Sequence, residues 1–450
     1  MRTSTRSLSP AGQLAFLTDA DSHVGPKDWT FNGASTRELT HCYHDYPARM
    51  IPQVAGKLLD MFGVNAELLF DPYCGTGTSL VEGLTRGINA AGTDLNPLAR
   101  LIAQAKTSTP SAREVDRQIA RFSRFATRSE SAPPVIAPVI HGVSRVDFWF
   151  KPPVIEKLSR LRAFIDEIED ELVRLFFQVA FSETVRESSN TRNEEFKLYR
   201  YRADKLEGFD PDVFGIMALK LKRNRTGLHK FLGIMENLKH PPRACIHDFN
   251  TVTDVPNDKV ASASVDIVVT SPPYGDSHTT VAYGQYSRLS AAWLGLSEPE
   301  KVDRKLMGGE VAKKVPDFPN DALNQALSQI GKADRKRALE VASFYSDLHH
   351  SVARVSELIK PAGYACYVVG NRKVKGVVLP TDVAVRDFFE CLGFDHIETF
   401  HRSIPNKRMP LRNSPTNVVG ALDNTMTQEH IVVMRRNAVE VLRDARNGAA

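Results

Sequence analysis

The sequence predicts an α/β fold, a seven-stranded sheet carrying helical inserts, on three observations. Apolar Leu68-Leu69-Phe70 runs into a Gly-x-Gly turn, Asp71-Pro72-Tyr73-Cys74-Gly75-Thr76-Gly77-Thr78, and a helical pattern follows. Asn89 to Asp94 reads as a second strand ending in a carboxylate, which gives the β-α-β order of a parallel sheet. The β-branched run Val265 to Thr270 ends in Ser271-Pro272-Pro273-Tyr274, and two successive prolines cannot continue a central strand. Ligands of open α/β sheets bind beyond the carboxyl ends of the strands, so these ends converge on one crevice.

Taken in order, residues 1 to about 35 are polar without a period and read as a poorly ordered arm. His41 to Pro52 follows, with Pro47 suited to a helix start and Val54, Leu58, Leu59 and Phe62 at helical spacing. His41, His44 and Asp45 match no common ligand set, so no metal site is expected. Strand 1 is expected at Ala66 to Phe70. A helix start is expected near Thr78, where Ser79 and Glu82 have capping-box spacing. A helix from Pro97 to about Lys106 follows strand 2. Residues 108 to 145, with a Ser/Arg stretch and Ala132-Pro133-Pro134, read as a linker. A helical segment runs from Pro153 to about Val185. Lys220 to Lys230 is basic without an acid, and reads either as a solvated face or as a phosphate-contacting edge.

The α/β pattern resumes at Arg243 to Asp248, strand 3, and Val265 to Thr270 is strand 4. An insert from Gly275 to about Arg337 holds Tyr283, Tyr286, Trp293 and a second basic cluster, Lys301 to Lys314. A helix from Ala338 to Ile359, strand 5 at Gly363 to Val369, and a helix from Thr381 to Leu392 capped by Gly393 come next. Phe394 to His401 and His430 to Met434 form a final antiparallel pair, joined through the basic loop Arg402 to Arg412. The expected division is 36–107 and 243–450 as two parts of one catalytic domain. Residues 108–242 form a helical insert between them, a candidate target-recognition region.

The chain has 450 residues, ordinary apolar and charged fractions, and a net charge of +5, which is compatible with a nucleic-acid partner without specifying one. No apolar run approaches membrane-spanning length, and Arg2 and Arg6 are not followed by the apolar stretch of a secretory signal. Five scattered cysteines without a C-x-x-C pair fit a reducing cytoplasm and argue against zinc or a disulfide framework.

Glycines at the turn let the backbone approach a ligand closely, and the start of the following helix presents N–H groups to it. Asp94, at the tip of strand 2, can bond both hydroxyls of a ribose. The pattern points to a nucleoside-containing cofactor. The loop lacks the Gly-Lys-Ser/Thr ending of a triphosphate cradle and the third glycine of the dinucleotide fingerprint.

Asp71 to Thr78 resembles the Asp-Pro-Phe-Cys-Gly-Ser-Gly-Thr loop of S-adenosylmethionine-dependent methyltransferases that act on exocyclic amino groups. Thr270-Ser271-Pro272-Pro273-Tyr274 is similar to the second signature of that family. The resemblance covers roughly residues 40–107 and 243–435 and leaves out the insert. It implies a Rossmann-like methyltransferase sheet and S-adenosylmethionine as cofactor. Tyr46 and Pro47 would help hold its methionine end. Asp71, Pro72, Cys74, Gly75, Gly77 and Thr78 would shape its site, Asp94 would take the ribose and Asp248 the adenine. Ser271, Pro272, Pro273 and Tyr274 would hold a base flipped out of double-stranded DNA. A loop comparable to Lys407, Arg408 and Arg412 lies near that base in the family.

Serine at the head of the motif leans towards cytosine N4 within a restriction–modification system. A cognate endonuclease would share that system without a stable complex. Adenine-N6 methylation of DNA, guanine-N2 or adenine-N6 methylation of RNA, and a non-catalytic DNA-binding protein are the alternatives. No cysteine follows a proline, which disfavours covalent cytosine-C5 chemistry.

Overall fold

Seven strands make one sheet: β1 (Leu68–Asp71), β2 (Asn89–Thr93), β3 (Ala244–His247), β4 (Val265–Thr270), β5 (Ile359–Val369), β6 (Phe394–Ser403) and β7 (Gln428–Arg436). The structure is a computed structural model and describes residues 28–129, 140, 142–192, 195–276, 281–404, 412–413, 423–424 and 427–438. The arm expected at the amino terminus lies outside them as far as residue 27.

The strand order is β3-β2-β1-β4-β5-β7-β6. The first five strands in this order run parallel, and β7 is antiparallel to both β5 and β6. Central strands are buried on both faces, and period-two alternation sorts their side chains. Leu69, Ile267, Val269 and Val368 meet helix α1 (Pro52–Phe62) on one face. Phe70, Val268, Ala365 and Tyr367 meet α9 (Asp321–Ala333), α10 (Arg335–Leu358) and α11 (Thr381–Glu390) on the other.

The remaining long helices are α2 (Thr78–Leu84), α3 (Pro97–Thr107), α4 (Ala112–Ser129), α5 (Pro152–Asp166), α6 (Glu171–Ser188), α7 (Val213–Glu236) and α8 (Tyr283–Trp293). Among the described residues, no helix is long and apolar enough to cross a membrane.

Four local expectations need correction. The first helix begins at Pro52, not Pro47, because a residue before proline is kept extended, and Ile51 has ψ 142°. Residues 112–129 are helix rather than linker, since Val115, Ile119, Phe122 and Ala126 recur at helical spacing beneath the arginines. The segment from Pro153 is two helices, the second capped by Asp170, whose side chain accepts from Leu172 N–H (2.9 Å) and Val173 N–H (3.0 Å). The cap of α2 is Gly77 in a left-handed conformation (φ 73°), and the Ser79 hydroxyl goes elsewhere.

The insert is packed onto the catalytic part. One core joins Leu98 and Ile102 of α3, Phe164 of α5, Phe177 of α6, Met217 of α7 and Trp293 of α8 with Tyr43 and Tyr46. Most of the cations in the basic run on α7 are paired with acids from elsewhere in the chain. Lys220 and Arg223 pair with Glu183, which is buried (3% exposed), and Arg223 also donates to the Tyr43 carbonyl (2.7 Å). Arg225 pairs with Asp116 and Lys230 with Glu38 (2.8 Å). Glu183 also accepts from Asp45 N–H (2.7 Å), so this cluster fixes the segment that leads to Tyr46.

Removing one member of a buried charge cluster leaves the others uncompensated. Glu183→Ala is expected to lower the unfolding free energy by about 3–5 kcal/mol in a urea titration. A loss below about 1 kcal/mol would show that Arg223 and Lys220 find water or another acid.

Candidate functional site

A cleft opens at the carboxyl ends of β1, β2 and β4. Its floor is the turn after β1, where Gly75 (φ 49°) and Gly77 (φ 73°) both take left-handed conformations. The space where a Gly75 side chain would point is open, whereas a Cβ on Gly77 would come within 3.1 Å of Ala103. Pro72, Cys74, Thr76 and Thr78 line the cleft beside Gly75, and the Thr76 hydroxyl is buried without a partner among the described residues.

Asp71 is buried at the end of β1 and joins three elements. Its carboxylate accepts from Ser79 Oγ on α2, from Thr270 Oγ1 at the end of β4 (2.5 Å), and from Tyr73 N–H (3.0 Å). Burial pushes its pKa from 3.8 up to about 6, against those three hydrogen bonds.

Asp94 follows β2 and faces the same space. Gly75 N–H donates to Oδ2 (3.0 Å) and Asn96 N–H to Oδ1 (2.7 Å), which fixes the carboxylate and leaves further lone pairs for a ligand. Burial moves its pKa upward against these two bonds.

One wall is the segment Tyr46 to Met50, which bends at Ala48 (φ 49°). Tyr46 Oη accepts from Asn96 Nδ2 (2.7 Å), and the Tyr46 ring stacks on Tyr283 of α8 (5.9 Å, 14°). Asn96 also caps α3 and donates to Ser287 of α8 (2.9 Å). Arg49 lines the wall and donates to the His41 and His44 carbonyls (3.1 and 2.8 Å). The opposite wall is Phe249, Asn250 and Thr251. Asp248 is exposed and does not line the cleft; its successors do.

Ser271 and Pro273 line the cleft, whereas Pro272 is buried behind them. Ser271 Oγ donates to the Val368 carbonyl of β5 (3.1 Å) and lies 3.3 Å from Tyr274 Oη. Tyr274 in turn donates to Glu429 of β7 (3.0 Å), and Arg402 of β6 pairs with Glu429. Tyr274 is not among the cleft-lining residues.

The turn leaves the sheet through Gly275 (φ 154°), where a Cβ would sit 2.0 Å from Arg372 Nη1. This close approach lets Arg372 (3.3 Å) and Arg337 (2.8 Å) both reach the buried Asp276. Lys407 and Arg408 lie outside the described residues. Arg412 belongs to a two-residue ladder with 423–424, and its side chain is outside them.

Sequence reasoning passed over Arg49, Asn96, Phe249, Asn250, Tyr283 and Met307. Only Asn96 carried a signal, since Asn before Pro97 marks a helix start, but nothing local said that the same side chain would meet α8.

No protein-family profile matches the chain. Among known proteins, the Type II methyltransferase M.MvaI of Kocuria varians is 40% identical over 456 residues, covering 95% of this chain and 99% of that one. The Type II methyltransferase M.BsoBI of Geobacillus stearothermophilus is 20% identical over 84% of each chain. Among solved structures, the rRNA methyltransferase aviRa of Streptomyces viridochromogenes aligns over 87% of this chain and 88% of that one. The TM-score is 0.30 and the identity 12%, too low to carry an argument.

The raised pKa of Asp71 has a consequence for stability. The folded chain binds this proton more tightly than the unfolded chain between about pH 4 and pH 6. The stability that proton binding contributes is fully present below about pH 4 and is lost as pH rises through about 6. Relative to Asp71→Asn, wild-type stability should therefore fall by about 3 kcal/mol from pH 4 to pH 7, at about 1.4 kcal/mol per unit. Denaturant titrations at each pH test this, and a difference that does not vary with pH would place the proton elsewhere.

Proposed function

The chain belongs to the Type II methyltransferase family, and from that premise we propose that it methylates the exocyclic N4 of cytosine within a specific site in double-stranded DNA. The observation that carries the reading is Ser271. Its hydroxyl gives its proton to the Val368 carbonyl at the rim of the cleft that Gly75 and Asp94 line. The oxygen's lone pairs are then free to accept a hydrogen from an amino group.

The residues present suit S-adenosylmethionine as the methyl donor. Gly75 leaves room against the backbone, Asp94 holds its carboxylate towards the cleft, Phe249 offers a flat ring, and the unpartnered Thr76 hydroxyl offers a polar contact. When bound, the cofactor supplies an electrophilic methyl group.

The chain's own residues orient the nucleophile. An exocyclic amino nitrogen is weakly nucleophilic because its lone pair is delocalised into the ring. Accepting hydrogen bonds from its hydrogens, by Ser271 Oγ and the Pro272 carbonyl, stabilises charge that develops on nitrogen during transfer. Asp276, clamped by Arg337 and Arg372, holds the exit of the turn so that these acceptors keep their places. Tyr274, tied to Glu429, supports Ser271 from behind.

Cytosine is preferred over adenine because serine, not aspartate, heads the motif, which leans to N4 chemistry in the family that this turn resembles. A restriction endonuclease of matching specificity is the partner this reading implies.

Purified protein incubated with S-adenosylmethionine and genomic DNA is expected to yield N4-methylcytosine on nucleoside mass spectrometry. N6-methyladenine instead would overturn the base assignment, and no methylated base would overturn the reaction. Ser271→Ala should lower turnover by about 100-fold or more while cofactor affinity holds, the loss typical of one preorganised polar contact. Asp94→Ala should weaken cofactor binding by about 1–3 kcal/mol in calorimetry, and equal affinity would remove Asp94 from the site.

A further inference from the structure

Helix α4 carries a charged face that the cleft does not use. It contains Arg113, Arg117, Arg121, Arg124 and Arg128. At 3.6 residues per turn these five fall within an arc of about 80° and extend along about 22 Å of axis. Val115, Ile119, Phe122 and Ala126 lie opposite, in the core shared with α5, α6 and α7.

The acids within reach compensate two of the five arginines, Arg117 and Arg121. Asp116 turns to Arg225 of α7 (2.7 Å). Glu114 accepts from Arg117 (2.7 Å) and Gln118 (3.0 Å). Arg121 lies over the Phe164 ring at 4.7 Å and pairs with Glu167. Arg113, Arg124 and Arg128 are exposed, with no carboxylate partner among the described residues.

The direction of α4 follows from its neighbour. α7 leads into β3, and its Phe231 and Met235 pack on Val81 and Leu84 in the second half of α2, so its carboxyl end lies at the amino ends of the strands. Along α4, Asp116 meets Arg225, whereas Phe125 meets Phe214 at 6.0 Å. The two helices are therefore antiparallel. The half of α4 that carries Arg124 and Arg128 points to the end of the molecule where the strands' carboxyl ends and the cleft lie.

We infer that this arginine face runs along the phosphate backbone of the duplex whose base enters the cleft, an inference that rests on the DNA reading above. Guanidinium groups bind phosphate oxygens bidentately and stay charged at any working pH. A track of about 22 Å spans roughly six base-pair steps at 3.4 Å each. An ordinary solvated helix face would interleave acids with its cations, and this arc holds none. The contact is to backbone, so it adds affinity for any sequence and no base preference.

The test is the salt dependence of binding to a random-sequence DNA duplex, measured by fluorescence anisotropy. Each lost phosphate contact reduces the log–log slope by roughly 0.9. Arg113→Gln/Arg124→Gln/Arg128→Gln should reduce it by about 2–3, and the matching triple lysine variant should keep most of it. Lys239→Gln/Arg243→Gln/Arg354→Gln makes the same charge change at the amino ends of the strands and should leave the slope unchanged. S-adenosylmethionine affinity equal to wild type shows that each variant is folded. A slope unchanged in the α4 glutamine variant, or reduced equally in the control, overturns the inference. Wild-type protein that binds no duplex DNA overturns the DNA reading and this inference with it, so the two failures are distinguishable.

Discussion

The carboxylate of Asp71 is the contact on which the site depends. It lies where β1 ends, and β1 is hydrogen-bonded to β4 in parallel, so both strands end at the same level. One buried group can then bond Thr270, the last residue before Ser271, and Ser79 in the first turn of α2. The Gly-x-Gly turn and the Ser-Pro-Pro-Tyr turn are 200 residues apart in sequence and share this side chain as a common anchor. Its cost is visible in the raised pKa, and three hydrogen bonds offset that cost. An apolar residue here would remove the penalty but would also leave the Thr270 and Ser79 hydroxyls without this acceptor.

The helical insert supports the site from the other side. Tyr46, Pro47 and Arg49 belong to an irregular stretch between a short 3-10 helix at Leu39–Tyr43 and Pro52, which has no regular ladder of its own. What holds it is contact with α6, α7 and α8. Glu183 binds Asp45 N–H, Arg223 binds the Tyr43 carbonyl, and Tyr286 Oη donates to the Asp45 carbonyl (2.7 Å). His41 and His44 are buried beside this network, and burial lowers both pKa values to about 4, so they enter it uncharged. The insert and α8 thus act on the cleft through the backbone of one wall.

Much of this was legible in the sequence because it is written in local chemistry. The run at β4 and the two prolines that end it are adjacent residues, and so are Gly75, Gly77 and the helix that starts at Thr78. The strand and helix alternation predicted the sheet, including the final antiparallel pair. Asn96 was legible as a cap but not as a link between Tyr46 and Ser287, because those partners are 50 and 191 residues away. The expected helix start at Pro47 failed because a second proline five residues on imposes its own constraint on Ile51. Helix α4 is masked in the sequence because most of its residues are Arg, Ser, Thr, Asp or Glu, on the outer side of a short apolar period. Asp248 is the carboxylate that follows β3, yet the chain beyond that strand presents Phe249 and Asn250 to the cleft instead.

The cations show why charge must be read against structure rather than counted. Lys220 to Lys230 is the densest basic run of the insert, and most of it is spent on Glu183, Glu187, Asp116 and Glu38. Those acids lie outside the run, so a window of sequence cannot reveal the neutralisation. Of the five α4 arginines, three have no carboxylate partner among the described residues and all five share one face, although acids are present in the same helix. A buried pair loses its attraction for a distant phosphate because its partner cancels the field within a few ångströms, and solvent screens what remains beyond about 10 Å at ordinary salt. An exposed, unpaired guanidinium keeps its whole charge for an incoming polyanion. Where acids fail to reach, exposed cations keep their field, and on α4 three such arginines share one face.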